Sequence, residues 1–191
     1  MNILVTYALP SECGNLRMQG HSLRLCQTGV GKVAAALATY KACMEQMPDL
    51  VLAIGSAGAI HHEVGTILLC DKFLDRDLEH IAELGVPFYH DFTEELKAWK
   101  TSMPVHSCVS SGDTFQTTIP LKGIAADVYD MEAFGAAEAC KQLQLPFIAI
   151  KYVTDVIGQN SISHWEENVR HAKTGLENFL ASFEIELQPT C

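Results

Sequence analysis

The stretch from residue 126 to residue 158 constrains the fold more than any other part of the sequence. Its second half contains PFIAIKYVT at 146–154, which is rich in β-branched and aromatic residues and predicts a fully buried strand. Asp155 follows directly, where open α/β sheets usually place a ligand crevice. The first half predicts a short Ala-rich helix with Glu132 at its start. Two carboxylates brought to one crevice can take different chemical roles because their environments differ.

The rest of the chain predicts strands that alternate with helices. Strands are predicted at 3–9, 23–28, 49–54, 66–74 and from 105, with an Ala-rich helix at 33–47. The segment 75–100 shows only a weak helical pattern at its end. The clearest helix is predicted at 163–187, with Ser163 and Glu166 as a capping box and Trp165 on an apolar face that packs in the core. Without an internal repeat or linker, we expect one domain over 1–191.

Glycine-rich or acidic residues follow each of five predicted strands. They are Glu12, Gly29–Gly31, Gly55–Gly58, Gly112–Asp113 and Asp155. If the strands are mostly parallel, these features meet at one edge of the sheet. An acid at a helix start or in a turn also has a purely structural explanation. Because five such positions are harder to ascribe to chance than two, we expect a shared site.

Composition excludes several classes of function. A net charge of −10, from 13 basic and 23 acidic residues, argues against binding to a nucleic-acid backbone. No apolar run reaches the length of a membrane span, and MNILVTYAL at the amino terminus lacks the basic region of a signal peptide. The seven cysteines form no CxxC pair, which is typical of reduced thiols. We therefore expect a cytoplasmic protein with no nucleic-acid or membrane partner.

Three local motifs look like known signatures but do not match them. The sequence GVGK at 29–32 lacks the flanking residues of a phosphate-binding loop, so a strand-to-helix turn, with amides that can face a ligand, is favoured. His61-His62-Glu63 has no second ligand pair at metal-binding spacing. GSAG at 55–58 is not a nucleophile elbow, which leaves Ser56 as a ligand-binding hydroxyl or a small turn residue. We expect neither a metal nor a cofactor.

Five motifs, taken together and in order, resemble the nucleoside phosphorylase and nucleosidase superfamily. They are GVGKVAAA (29–36), GSAG (55–58), SGDTF (111–115), DMEAFGAAE (130–138) and TDV (154–156). Over nearly the whole chain the sequence is most similar to the 5′-methylthioadenosine/S-adenosylhomocysteine nucleosidases. The resemblance implies an α/β three-layer sandwich around a mixed, partly barrel-like central sheet, and usually a homodimer. It also implies a small-molecule partner, an adenine nucleoside whose N-glycosidic bond is hydrolysed.

The resemblance implies a catalytic pair of acids. Glu12 corresponds to the acid that activates the attacking water, with Ser56 near that water, and Asp155 corresponds to the acid that protonates purine N7. Such cleavage passes through an oxocarbenium-like sugar, and the purine must not leave as a bare anion. Asp155 must therefore carry a proton, a form that burial favours. Lys151 and Thr154 replace the family's usual arginine and serine in this substrate-binding region, so the geometry of the water site is expected to differ.

The resemblance also implies how the nucleoside is bound. Met131 and Glu132 correspond to the ribose-binding pair, in which the carboxylate accepts hydrogen bonds from the sugar hydroxyls. Phe115 corresponds to the ring stacked on the base, and the Gln116 backbone reaches the base edge. The segment from about 71 to 103, which would shape the pocket for the 5′ substituent and part of the dimer contact, is short for the family. The substrate is therefore the least determined feature.

Water rather than phosphate is favoured as the nucleophile. The superfamily's phosphorylases hold phosphate with arginines, one close before the GS-G turn, but Leu52-Ala53-Ile54 precedes Gly55 here. An acid at Glu12 would also repel phosphate. A futalosine-type hydrolase, a phosphate-dependent phosphorylase and a nucleoside-binding protein without turnover remain as alternatives. The presence of all three acids argues against the last, since a binding protein does not need Asp155 as an acid.

Overall fold

In the part of the chain that the structure describes, the fold is built on a mixed eight-stranded sheet and four helices. The computed structural model describes residues 1–119, 123–159 and 161–188. The strands of the main sheet are β1 (Asn2–Tyr7), β2 (Ser22–Gln27), β3 (Leu50–Ala59), β4 (Ile67–Asp75), β5 (Tyr89–Asp91), β7 (Ser107–Ser111), β8 (Val128–Asp130) and β9 (Phe147–Val156). A separate antiparallel pair joins β6 (Trp99–Thr101) to β10 (Ile185–Leu187). The helices are α1 (Lys32–Glu45), α2 (Arg76–Glu79), α3 (Ala133–Leu143) and α4 (Ser161–Ser182), with a 3₁₀ turn at Ala82–Leu84.

Five strands close into a ring. The pairing runs from β3 to β8, β7, β4 and β9, and β9 pairs with β3 again. Beyond the ring, β1 and β2 extend the sheet in parallel from β3, whereas β5 pairs antiparallel with β4. This arrangement confirms the predicted mixed, partly barrel-like sheet.

Helices lie on both faces of the sheet. Successive side chains of β9 point to opposite faces, so neighbouring residues meet different helices. Lys151 lies beside Ala133 of α3, whereas the next residue, Tyr152, contacts α4 at Gly175. A methyl group on Gly175 would collide with the Tyr152 ring, and one on Gly135 of α3 would collide with the backbone of α1. Gly175 thus lets α4 approach β9 closely, and Gly135 lets α3 approach α1, as expected for helices packed in layers on the sheet.

Several predicted boundaries are wrong. Gly55–Gly58 lie inside β3 and Asp155 lies inside β9, because the two strands keep pairing through a register shift after Ala57. Residues 128–130, which precede the predicted helix and were not predicted as a strand, form β8. The last helix begins at Ser161 and ends at Ser182, so Ser163 is inside the helix instead of capping it, and a strand follows. The unassigned segment 75–100 contains α2, the 3₁₀ turn, β5 and the start of β6.

The cysteines contribute mainly to the core. Cys43, Cys70, Cys108 and Cys140 are buried, and all six cysteines in the described part of the chain are free thiols, whereas Cys191 lies outside it. Burial raises the pKa of Cys43 to about 11 and that of Cys108 to about 12, so both remain protonated at neutral pH. None of the helices within the described ranges is long and apolar enough to cross a bilayer.

Candidate active site

A cavity of about 710 Å³, which includes its open mouth, collects most of the predicted site residues. Its lining combines aliphatic, aromatic and acidic side chains, as ligand pockets of this size usually do. The lining residues are Ala8, Leu9, Glu12, Val30, Ser56, Ala57, Gly58, Phe115, Gln116, Tyr129, Asp130, Met131, Glu132, Asp155 and Trp165. Of the nine predicted site residues, all except Lys151 and Thr154 line this cavity.

Glu12 is held by three hydrogen-bond donors. It lies on the loop after β1 and is only 4% exposed. Its Oε1 accepts hydrogen bonds from the Ser56 backbone N–H at 2.8 Å and from the Ser56 hydroxyl at 2.6 Å. Its Oε2 accepts one from the Leu9 N–H at 3.0 Å. These three donors hold both oxygens of the Glu12 carboxyl group in place.

Asp155 is oriented by its neighbour on β9. The Thr154 hydroxyl lies 3.0 Å from Asp155 Oδ1 and 3.3 Å from the Ala57 carbonyl oxygen. Asn168 of α4 donates to the Thr154 carbonyl oxygen at 3.1 Å, which fixes the helix against this end of β9. Asp155 itself is 1% exposed. Thr154 therefore contacts the acid and not the cavity.

Glu132 lies at the start of α3 and faces the turn before α1. The Gly31 N–H donates to its Oε1 at 2.9 Å, and the Met131 N–H donates to its Oε2 at 3.3 Å. Gly31 has a φ of +98°, a conformation that favours glycine. The amide of this turn thus faces a carboxylate. Burial raises the pKa of Glu132 to about 7, and the charge of Asp130 adds to this effect, while Lys151 and the Gly31 N–H oppose it.

Lys151 lies beside the cavity, in a smaller buried space that it shares with Glu12 and Glu132. Its Nζ is 2.8 Å from Oδ2 of Asp130, and both side chains are almost fully buried. Asp130 also accepts hydrogen bonds from the Ser111 hydroxyl at 2.5 Å and from the Ala133 N–H at 3.0 Å. The lysine is therefore bound mainly by one carboxylate, a contact that a single ammonium group can satisfy.

Asp130 was not among the predicted site residues, although it opens the DMEAFGAAE motif.

Trp165 was also missed, because its place on the apolar face of the last helix predicted core packing. Its indole Nε1 instead donates to Ser56 Oγ at 3.1 Å, and its ring meets Phe115 edge-on at 6.3 Å between centroids. The residue type could have pointed to this contact, because the indole N–H of a buried tryptophan usually has a hydrogen-bond partner. The rest of the predicted face is in the core, as Val169, Ala172 and Leu176 show.

Arg76 holds the loop that carries Phe115. Its guanidinium donates to the carbonyl oxygens of Ser110 at 2.6 Å, Asp130 at 2.9 Å and Thr114 at 2.6 Å. Asp113 was predicted to meet the other strand-end residues at one site, and this prediction is wrong. Asp113 is absent from the cavity lining and lies 3.4 Å from the ammonium group of Lys32. The loop after β7 thus contributes the ring of Phe115 to the cavity and no charge.

The cavity is acidic. Its charged lining residues are Glu12, Asp130, Glu132 and Asp155, and no lysine or arginine is found among the lining residues that the structure describes. Within residues 1–119, 123–159 and 161–188, no group of three or more His, Cys, Asp or Glu side chains is placed to hold a metal ion. His62, part of the rejected metal motif, lies 3.6 Å from Asp127. The site thus suits a ligand with hydroxyl donors and an aromatic ring.

Comparison with known proteins shows the family of this chain. The sequence model of the Phosphorylase superfamily matches residues 11–183. The chain belongs to this superfamily. It is 26% identical over 192 residues to a 5′-methylthioadenosine/S-adenosylhomocysteine nucleosidase of Bacillus cytotoxicus, covering 88% of this chain and 83% of the relative. A Bacillus cereus protein of the same name is 25% identical over 194 residues, covering 90% and 84%.

Solved structures of this superfamily share the fold. The nucleosidase of Streptococcus pneumoniae with a transition-state inhibitor superposes with a TM-score of 0.78 at 19% identity, covering 94% of this chain and 96% of that one. The Streptococcus pyogenes nucleosidase in complex with 5-methylthiotubericidin gives a TM-score of 0.77 at 19% identity, covering 94% of each chain. The superfamily and fold predicted from the five motifs are thus confirmed.

Proposed function

We propose that this protein hydrolyses the N-glycosidic bond of a 5′-modified adenine nucleoside, methylthioadenosine or S-adenosylhomocysteine, and releases adenine. The observation that carries the proposal is the meeting of three acids, Glu12, Glu132 and Asp155, in one cavity with the ring of Phe115. Support also comes from relatives named as nucleosidases for these two compounds.

In the proposed reaction, one catalytic acid acts on the attacking water and the other acts on the purine. Glu12, as a carboxylate, accepts a proton from water while the water oxygen bonds to C1′ of the ribose. The bond from C1′ to N9 breaks, and its electron pair goes to the purine. Asp155 gives a proton to N7, so adenine leaves as a neutral base. This step requires Asp155 to carry a proton, and its side chain is 1% exposed.

The remaining residues bind the nucleoside. Ionised Glu132 accepts hydrogen bonds from the ribose hydroxyls, and Met131 packs beside the sugar. Phe115 stacks on the adenine, while the Gln116 backbone contacts the base edge. Lys151 and Thr154 act from behind the cavity wall, where Lys151 neutralises Asp130 and Thr154 orients Asp155.

The charge of the cavity favours water over phosphate as the nucleophile. Among the described residues that line the cavity, a phosphate ion would meet four acidic side chains and no lysine or arginine. The Arg76 guanidinium is engaged by three backbone carbonyl oxygens, and Arg24 donates to those of Ala42 and Gln46 at the end of α1. Neither arginine lines the cavity, which supports a hydrolase.

The test is base release from methylthioadenosine, S-adenosylhomocysteine, adenosine, inosine and futalosine, each with and without phosphate. We expect adenine from the two thio-nucleosides at equal rates in both buffers. Release that requires phosphate would assign the protein to the phosphorylases and remove the water-activating role of Glu12. Hypoxanthine from futalosine alone would identify the futalosine-type hydrolase, and binding without release would identify a nucleoside-binding protein.

We further propose that two copies pair through an apolar face of α1. Val33, Leu37, Tyr40 and Met44 are exposed at three- and four-residue steps, so they form one stripe. Val30, which lines the cavity, is also half exposed and continues the stripe towards the cavity mouth. The resemblance places part of the dimer contact in the segment from about 71 to 103, whereas this exposed apolar stripe is on α1. An apolar stripe of this kind suits a self-complementary two-fold contact.

The dimer is tested by sedimentation at micromolar concentration. We expect a dimer for the wild type, a monomer for Leu37→Glu, and a dimer for Arg170→Glu, whose side chain is exposed on α4 and not on α1. A wild-type protein that sediments only as a monomer would remove the proposal.

A further inference from the structure

A directed chain of hydrogen bonds connects α4 to Glu12. Trp165 Nε1 lies 3.1 Å from Ser56 Oγ, which in turn lies 2.6 Å from Glu12 Oε1. An indole N–H can only donate, so the Ser56 oxygen accepts from Trp165. The single proton of the Ser56 hydroxyl is then available to Glu12, whose ionised carboxylate can only accept. The direction of each bond in the chain is therefore fixed by the groups present.

The two carboxylate oxygens of Glu12 differ as a result. Oε1 accepts two hydrogen bonds, both from Ser56, whereas Oε2 accepts one from the Leu9 N–H. A carboxylate oxygen has two acceptor positions, so those of Oε1 are filled and Oε2 retains one. The oxygen that is able to take a proton from water is thus Oε2.

We propose that Trp165 is a positioning residue for Glu12, acting through the Ser56 hydroxyl to fix which carboxylate oxygen receives the proton of water. This inference rests on the hydrolysis proposed above and adds a residue to it. Without the indole donor, the Ser56 hydroxyl is free to rotate and to donate to water, and Oε1 then competes with Oε2. The carboxylate spends less time in the productive arrangement, which lowers the rate of the chemical step.

The position of Trp165 is itself well fixed. Asn168, one turn further along α4, donates to the carbonyl oxygens of His164 at 2.8 Å and of Thr154 at 3.1 Å. The Trp165 ring also meets the Phe115 ring edge-on. Trp165 therefore contacts both the ring proposed to stack on the base and the hydroxyl that orients the acid.

The decisive variant is Trp165→Phe, which keeps an aromatic ring against Phe115 and removes the N–H. We expect kcat for methylthioadenosine to fall about 5- to 20-fold, as for a lost hydrogen bond that matters in the transition state, with KM changed less than about twofold. Trp99→Phe is the matched control, because Trp99 is the other tryptophan and lies on β6, away from the cavity lining. We expect its kcat to equal that of the wild type.

A double-mutant cycle separates positioning from wall packing. In a Ser56→Ala background, Trp165→Phe is expected to cause no further loss of kcat, because the group through which it acts is absent. The inference would be overturned if the kcat losses of the two single variants multiplied in the double variant. It would also be overturned if Trp165→Phe changed only KM, because either result would show that Trp165 is merely part of the cavity wall.

The hydrogen bond has a readout that does not depend on turnover. The two indole N–H signals in a ¹⁵N-correlation spectrum are assigned with Trp99→Phe and Trp165→Phe, and Ser56→Ala is expected to shift the Trp165 signal alone. An unmoved signal would refute the chain of bonds. A wild type that releases no base would refute the proposed hydrolysis and the catalytic consequence of the chain. An active wild type with multiplicative losses would refute only the inference.

Discussion

The carboxylate of Asp155 occupies space left by the missing side chain of Gly58. A methyl group built on Gly58 would lie 2.7 Å from Asp155 Oδ2 and 3.2 Å from Cγ1 of Ile157. The two residues face each other across β3 and β9, immediately after the register shift that follows Ala57. A glycine and a bulge at this point thus make room for a buried acid, a common use of both features near active sites.

Gly58→Ala is therefore expected to displace the Asp155 carboxylate. A shift of about 1 Å at a catalytic group can cost about 100-fold, so we expect kcat to fall at least tenfold. Steady-state kinetics with methylthioadenosine provides the measurement. Glu63→Ala is the control, because Glu63 is exposed and lies outside the cavity lining, and its kcat should be unchanged. Equal kcat values for the two variants would contradict the packing argument.

Asp155→Asn is expected to abolish turnover and to leave nucleoside binding largely intact. The amide keeps the size of the side chain but cannot give a proton to N7, and loss of a general acid costs about 100- to 10,000-fold. Calorimetry with methylthioadenosine measures binding, and adenine release measures turnover. Cleavage at the wild-type rate would show that the proposed mechanism is wrong.

Removing the ammonium group of Lys151 is expected to destabilise the fold. Lys151→Met leaves Asp130 buried without its cation, which costs about 3–5 kcal/mol in the free energy of unfolding. For a chain of this length, that corresponds to a loss of about 10 °C in Tm. Calorimetric melting measures the change.

The companion variant tests whether the effect belongs to the ion pair. Adding Asp130→Asn to Lys151→Met removes the uncompensated charge, so the double variant should be more stable than Lys151→Met alone. A double variant that loses the sum of the two single losses would mean that the residues are not coupled.

Nucleoside binding is expected to weaken below neutral pH because of Glu132. The pKa of this carboxyl is raised to about 7, chiefly by burial, so it is protonated at lower pH. The protonated form accepts fewer hydrogen bonds from the ribose hydroxyls, so Kd should rise about tenfold for each pH unit below 7 and level off above it. Titration calorimetry between pH 5.5 and 8.5 measures the trend.

Two variants show where this pH dependence originates. Glu132→Gln should bind more weakly and lose the dependence, since an amide does not titrate in this range. Glu63→Gln, which changes an exposed acid outside the cavity lining, should retain it. If Kd of Glu132→Gln changed with pH as steeply as Kd of the wild type, the pH dependence would belong to another group.

Local sequence patterns identified most of the strands and the principal helices. The run at 146–154 predicted β9 within two residues, and the Ala-rich segment at 33–47 predicted α1 equally well. Five ordered motifs were enough to identify the superfamily, because each contributes a turn or a strand end to one cavity. Strand ends were less well predicted, since β3 and β9 continue through glycines and an acid that usually mark turns.

The sequence alone determined the order of the elements and which residue types meet at the cavity. The tertiary structure decided their partners, since a local pattern records burial and backbone preference but not what lies across a contact. Trp165 reaches Ser56 across 109 residues, and Glu132 reaches Gly31 across 101, so neither pair leaves a periodic signal. Lys151 likewise occurs in the sequence as a single charge in an apolar strand, and only the position of β8 in the ring, between β3 and β7, brings Asp130 to it.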